Sequence, residues 1–147
     1  MTDSAQTTRD PENIALFAGL AAEWWDPEGS SRLLHRINPA RLAYIRDAVV
    51  RHFDLDGKRR NALAGLKALD IGCGAGLVAE PLSRMGAEVD GLDAGEEVIA
   101  VARAHAEGQR LDVHYHCGEA LEFAQANSAR YDFITCLEVV EHVADIK

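Results

Sequence analysis

At 147 residues, 48% of them apolar, the chain is long enough for one sizeable core and too apolar for wholesale disorder. Its 24 acids outnumber 15 bases for a formal charge of −9, a balance that repels phosphate backbones and argues against a nucleic-acid partner. No apolar stretch approaches the ~20 residues of a membrane span, and the polar stretch from Thr2 to Asn13 lacks the layout of a signal peptide.

Residues 1–11 read as a disordered tail and 12–147 as one domain. From Glu12 to Trp25, Ile14, Phe17, Leu20, Ala21 and Trp24 recur at steps of three and four, which predicts a helix. Asp26-Pro27-Glu28-Gly29 breaks it. Asn38 is a good N-cap with Pro39 at the first helical position, so a second helix is expected from there to Phe53, burying Leu42, Ile45, Val49 and Phe53. Asp54 to Gly65 reads as a polar connector, with Lys58-Arg59-Arg60 as a solvated loop.

The pattern then changes. Strands are expected at Leu66–Ile71, Glu88–Asp93, Val113–Cys117 and Tyr131–Leu137, and helices at Ala75–Met85, Glu96–Glu107 and Glu119–Ala126. Strands alternating with helices of this length imply right-handed crossovers and a parallel sheet. A doubly wound sheet ordinarily continues past a fourth strand, so the chain reads as truncated there. Cys73, Cys117 and Cys136 have no paired-ligand spacing and are expected to be reduced, buried residues of a cytoplasmic protein.

"LDIGCGAG" at Leu69–Gly76 ends the first of these strands with Gly72, Gly74 and Gly76. A dinucleotide-binding turn spaces its glycines GxGxxG and seats a pyrophosphate on the following helix. Here the spacing is GxGxG, and Asp70 stands at the mouth of the turn, where a carboxylate repels phosphate. A ligand whose near end is cationic suits it better, as in S-adenosylmethionine. Asp93 ends the second strand and can accept hydrogen bonds from both ribose hydroxyls of an adenosine. Glu119, after the third strand, can reach an adenine amino group. Plainer readings stand beside these: glycines placed for tight helix–strand packing, and Asp93 as a helix cap.

With "VDGLDAG" and "YDFITCLEVVEHV", this motif resembles the class I S-adenosylmethionine-dependent methyltransferases, a Rossmann-like α/β family. "AAEWWDPEG" and "LHRINPARLAYI" narrow the resemblance to the N-terminal part of the ubiquinone-biosynthesis O-methyltransferases. The resemblance implies O-methylation of a polyprenylated catechol or hydroxyphenol, with Arg41, Gly72, Asp93 and Leu137 at the cofactor. It also implies a membrane-contacting surface in the C-terminal part, and so a cytoplasmic protein peripheral to the inner membrane. Arg41 makes physical sense, since a guanidinium grips a carboxylate with two hydrogen bonds.

Glu138, Glu141 and His142 stand at i, i+3 and i+4, one face of a helical turn. The resemblance supports magnesium there, where it would orient a catechol and lower its hydroxyl pKa. The other reading is a polar helix start, with His142 as the base that forms the phenolate. On strand alternation, His114 and His116 share one face while Tyr115 and Cys117 take the other, which argues against a metal cluster. Trp24 and Trp25 read as packing of the N-terminal helix, with a channel for a quinone tail as the alternative.

Overall fold

All four expected strands form, and all pair in parallel. The computed structural model describes residues 23–144, so the expected tail over 1–11 and most of the Glu12–Trp25 helix lie outside the described residues. In chain order the elements are α1 (Arg32–His52), β1 (Lys67–Ile71), α2 (Ala79–Arg84), β2 (Glu88–Asp93), α3 (Glu96–Gly108), β3 (Val113–Cys117), α4 (Ala120–Ala126), β4 (Phe133–Cys136) and a short 3-10 turn, Val140–His142. The sheet order is β3-β2-β1-β4. From β1 the chain winds outward to β2 and β3, then returns to place β4 on the other side of β1.

Register explains the core. Ala68 pairs with Val89 and Phe133, and Val89 with Val113, which makes one row. Asp70, Gly91, Tyr115 and Thr135 make the next row on the same face. Leu82 of α2 and Ile99, Ala102 and Ala106 of α3 join the apolar members of these rows in the main core cluster. The opposite face buries Leu69 and Leu92 but is barer toward β4, where Ile134 is 56% exposed.

The Asn38-Pro39 pair does not start a helix. α1 begins at Arg32, with Ser31 at the cap position, and Pro39 lies inside it. An interior proline forfeits a backbone hydrogen bond and costs roughly 3 kcal/mol, so tertiary contacts must carry the helix through. Asn38 Nδ2 donates to the Leu77 carbonyl at 2.6 Å. His35 Nε2 lies 2.7 Å from the Trp24 carbonyl, which can only accept, so that nitrogen holds the proton. Leu42, Ile45, Val49 and Phe53 then pack against the core as expected.

Three other expectations need correction. The connector over residues 54–65 is not wholly polar and solvated: Leu63 is fully buried in the core and donates its N–H to the Met85 carbonyl at 2.9 Å. The helix after the glycine turn starts at Ala79 rather than Ala75, since the turn itself occupies the intervening residues. Of the cysteines, all free, only Cys73 is buried; Cys117 ends an outer strand and Cys136 sits on the barer sheet face.

Candidate functional site

Because β2 and β4 leave β1 on opposite sides, a crevice opens at the C-terminal ends of β1 and its neighbours, where open α/β sheets bind ligands. A cleft of about 190 Å³ lies there. The ends of β1, β2 and β4, the segment after β3 and one side of α1 supply its walls. The expected site residues that line it are Arg41, Asp70, Gly72, Asp93, Glu119, Leu137, Glu138 and His142. Gly74, Gly76 and Glu141 do not line it.

Asp70 is buried at the cleft floor and accepts a hydrogen bond from Thr135 Oγ1 at 2.7 Å across the β1–β4 pair. Burial pushes its carboxyl up to about 7, and nearby Asp93 pushes the same way against the Thr135 hydroxyl. An unfolded Asp titrates near 3.8. Between those values the folded chain keeps a proton that the unfolded chain has lost. Stability therefore falls as pH rises from about 4 to about 7 and levels off above. Asp70→Asn, which can still accept from Thr135, should flatten this decline. Urea midpoints at pH 5 and pH 8 measure it; an equal decline in both proteins contradicts the assignment.

Asp93 holds the turn together. Its Oδ2 accepts from Gly74 N at 3.0 Å and its Oδ1 from Gly95 N at 2.9 Å. Burial raises its carboxyl, and those amides pull it back down. Each oxygen keeps a further lone pair for a ligand. Gly95, not Asp93, is the cap residue of α3, and no side chain caps the helix; Asp93 steadies that corner by accepting from the Gly95 amide.

The turn's amides are mostly spent inside the protein. Gly72 N and Cys73 N both donate to the Leu92 carbonyl, at 2.8 and 3.0 Å, and Gly76 N donates to the Cys73 carbonyl at 3.0 Å. With Gly74 N on Asp93, four of the turn's donors are engaged within the protein rather than offered to a ligand. Gly76 serves packing: at φ 97° a Cβ there would collide with the Tyr115 hydroxyl. Gly72, at φ 67°, faces the Val139 side chain and the cleft.

Arg41 reaches across the cleft from α1 to an ion pair with Glu138. Glu119 is buried at the cap position of α4. Leu137 and His142 are partly buried in the cleft wall. The expected metal face does not form. Val140–His142 is a 3-10 turn, Glu138 precedes it at φ 56° in its ion pair with Arg41, and Glu141 is exposed. Among the described residues no group of three acidic, histidine or cysteine side chains could hold a metal ion. His114 and His116 do share a face: each has a ring nitrogen within 3.5 Å of Asp90 Oδ1.

Sequence reasoning missed Thr135, which holds Asp70 without itself lining the cleft, and several residues of the cleft wall. Thr135, a polar residue in an otherwise apolar strand, carried a signal. Asn38 and Leu34 line the wall only because α1 starts earlier than expected. Trp24 also lines the cleft, at the cofactor-motif end.

Residues 68–147 match the family model described as a methyltransferase domain. The chain is 51% identical over 146 residues to the ubiquinone biosynthesis O-methyltransferase of Sinorhizobium medicae, covering 99% of this chain and 58% of that one. It is 49% identical to the protein of the same name from Azorhizobium caulinodans, again over 99% of this chain and 57% of the relative. The chain thus spans under three-fifths of these relatives. Among solved structures it is similar to the magnesium protoporphyrin IX methyltransferase of Synechocystis PCC 6803 with bound SAH. The TM-score is 0.54 at 25% identity, covering 71% of this chain and 44% of that one.

Proposed function

The chain belongs to the methyltransferase-domain family, and on that premise we propose that its cleft binds S-adenosylmethionine for O-methylation of a polyprenylated catechol in ubiquinone biosynthesis. The observation that carries the cofactor is the state of the glycine turn. Its donors are taken by Leu92, Cys73 and Asp93, and two carboxylates, the buried Asp70 and the partly buried Asp93, stand beside it. A pyrophosphate finds few free amides there and is repelled by the two carboxylates once Asp70 is ionised; a sulfonium and an ammonium are attracted by the same charge.

The roles follow position. Asp93 takes the ribose hydroxyls on its remaining lone pairs, and Glu119 the adenine amino group. Asp70 faces the cationic end, Gly72 lets the chain pass close, and Leu137 covers the ligand from the β4 side. Arg41 takes the ligand's carboxylate by exchanging it for Glu138. That exchange has a consequence: Glu138→Gln, by removing the competing anion, should tighten S-adenosylmethionine binding. Weaker binding in calorimetry would place Glu138 among the ligand's own contacts.

When bound, S-adenosylmethionine supplies an electrophilic methyl group on a cationic sulfur. The protein's task is to hold a phenolic oxygen in line with the carbon–sulfur bond, and His142 in the cleft wall takes the phenolic proton. Glu138, Glu141 and His142 do not fit a magnesium ion as they stand, so no step runs through one. The ubiquinone assignment rests on the two rhizobial relatives. A polyprenylated substrate belongs in a bilayer, so the reading includes peripheral contact of a cytoplasmic protein with a membrane. No helix among the described residues is long and apolar enough to cross one.

Labelled methyl transfer to polyprenyl catechols tests the proposal, with the methyl ether identified by mass. Cofactor binding without ether formation at any tail length would contradict the substrate half.

A further inference from the structure

Behind the glycine turn, outside the cleft, lies a second polar and aromatic cluster. Trp25 is stacked flat on His105, with ring centroids 3.6 Å apart and planes 5° from parallel. Its indole N–H donates to the Ala75 carbonyl at 3.0 Å, in the turn itself. His105 is held at its ring edge as well: Nδ1 lies 2.7 Å from Oε1 of Glu80, a residue only 1% exposed. Glu80 belongs to α2 and His105 to the last turn of α3. The segment before α1 is therefore pinned to the glycine turn and to α3, and through His105 it is linked to α2.

Its neighbour faces the other way. Trp24 lies over Gly74, where a Cβ would come within 2.7 Å of the indole ring, and it lines the cleft beside Gly72 and Asp93. The Trp24 carbonyl accepts from His35. One tryptophan is thus an anchor and the next a wall.

A buried carboxylate beside a partly buried imidazole is an expensive way to fill this space, since an apolar pair of similar volume packs as well without desolvating a polar group. What they supply is orientation. A carboxylate on Nδ1 fixes the tautomer and rotation of the imidazole, and so the plane on which Trp25 stacks. A leucine would fill the volume and leave only the hydrogen bond to Ala75 to set the indole plane.

We propose that Trp24-Trp25 is an anchored aromatic flap over the cofactor end of the cleft, with Glu80 and His105 as positioning residues that act through Trp25, and Trp24 as the wall that touches the ligand. The inference rests on the reading that the cleft binds S-adenosylmethionine, whose cationic sulfur is a suitable neighbour for an indole face. Substitutions distant from the cleft should then alter cofactor binding.

Both tryptophans of the chain lie in this pair, so intrinsic tryptophan emission reports on the flap alone. Trp25→Phe leaves Trp24 as sole emitter and keeps a ring on His105; its emission and its response to S-adenosylmethionine should persist. Trp25→Ala removes the stack. Unliganded Trp24 emission should shift to the red, and affinity should fall about tenfold, the upper end of what a stacked pair contributes. His105→Gln keeps a donor for Glu80 but no ring, and carries the same loss of affinity should Trp25→Ala fail to fold by circular dichroism. A folded Trp25→Ala or His105→Gln protein with wild-type affinity and an unchanged emission response overturns the flap. Wild-type protein that is silent to S-adenosylmethionine in both emission and calorimetry overturns instead the reading beneath it.

Discussion

Asp93→Asn is expected to weaken S-adenosylmethionine binding by about a hundredfold or more in a chain that still folds. The carboxylate presents both oxygens to backbone amides, at 2.9 Å to Gly95 and 3.0 Å to Gly74. Asparagine has one such oxygen, and its NH₂ group must then oppose either amide, donor against donor. The glycine turn or the start of α3 moves in consequence. The proposed ribose contacts suffer as well: hydrogen bonds to a charged acceptor are worth roughly 1.5–3 kcal/mol each, so losing two reaches a hundredfold in affinity. An unchanged dissociation constant in folded Asp93→Asn would reduce the residue to a support for the corner before α3.

Gly76→Ala should cost roughly 2–5 kcal/mol of stability, a large share of the ~5–15 kcal/mol that holds a domain. At φ 97° the backbone lies in the left-handed region, where a side chain is strained by about 1–2 kcal/mol. The new methyl also lands on the Tyr115 hydroxyl, and overpacking adds about 1–3 kcal/mol. Tyr115 supplies the control. Its hydroxyl is buried with no hydrogen-bond partner in the protein, and burial drives the phenol's pKa well above its ordinary value. Tyr115→Phe alone should be neutral or stabilising, and it should recover the overpacking part of the Gly76→Ala loss while leaving the backbone part. Denaturant midpoints of the four proteins decide; strict additivity would show that the collision is relieved elsewhere.

What the sequence disclosed was whatever local chemistry and period determine. Strand parity placed His114 and His116 on one face and buried Tyr115 on the other. Carboxylates at the ends of β1 and β2 marked the cleft, because in a parallel sheet those ends gather on one side. Spacing could not disclose pairs made by tertiary folding. Glu138 at i, i+3 and i+4 with Glu141 and His142 suggested a metal face, yet its partner is Arg41, 97 residues away. Thr135 reaches Asp70 from 65 residues on. The Asn38-Pro39 signature failed because contacts to Leu77 and Trp24 outweigh the cost of an interior proline. The glycines divided in a way no pattern could show: Gly72 faces the cleft, while Gly76 makes room for Tyr115.

The proposed function requires a turn that rejects phosphate and a cleft that accepts a cationic adenosine. Calorimetric titration of the chain with S-adenosylmethionine and with NAD, at about pH 8 where Asp70 is ionised, tests this most directly. The proposed function predicts a saturable one-site isotherm for S-adenosylmethionine and none for NAD at matched concentration. Preferential binding of NAD would contradict it.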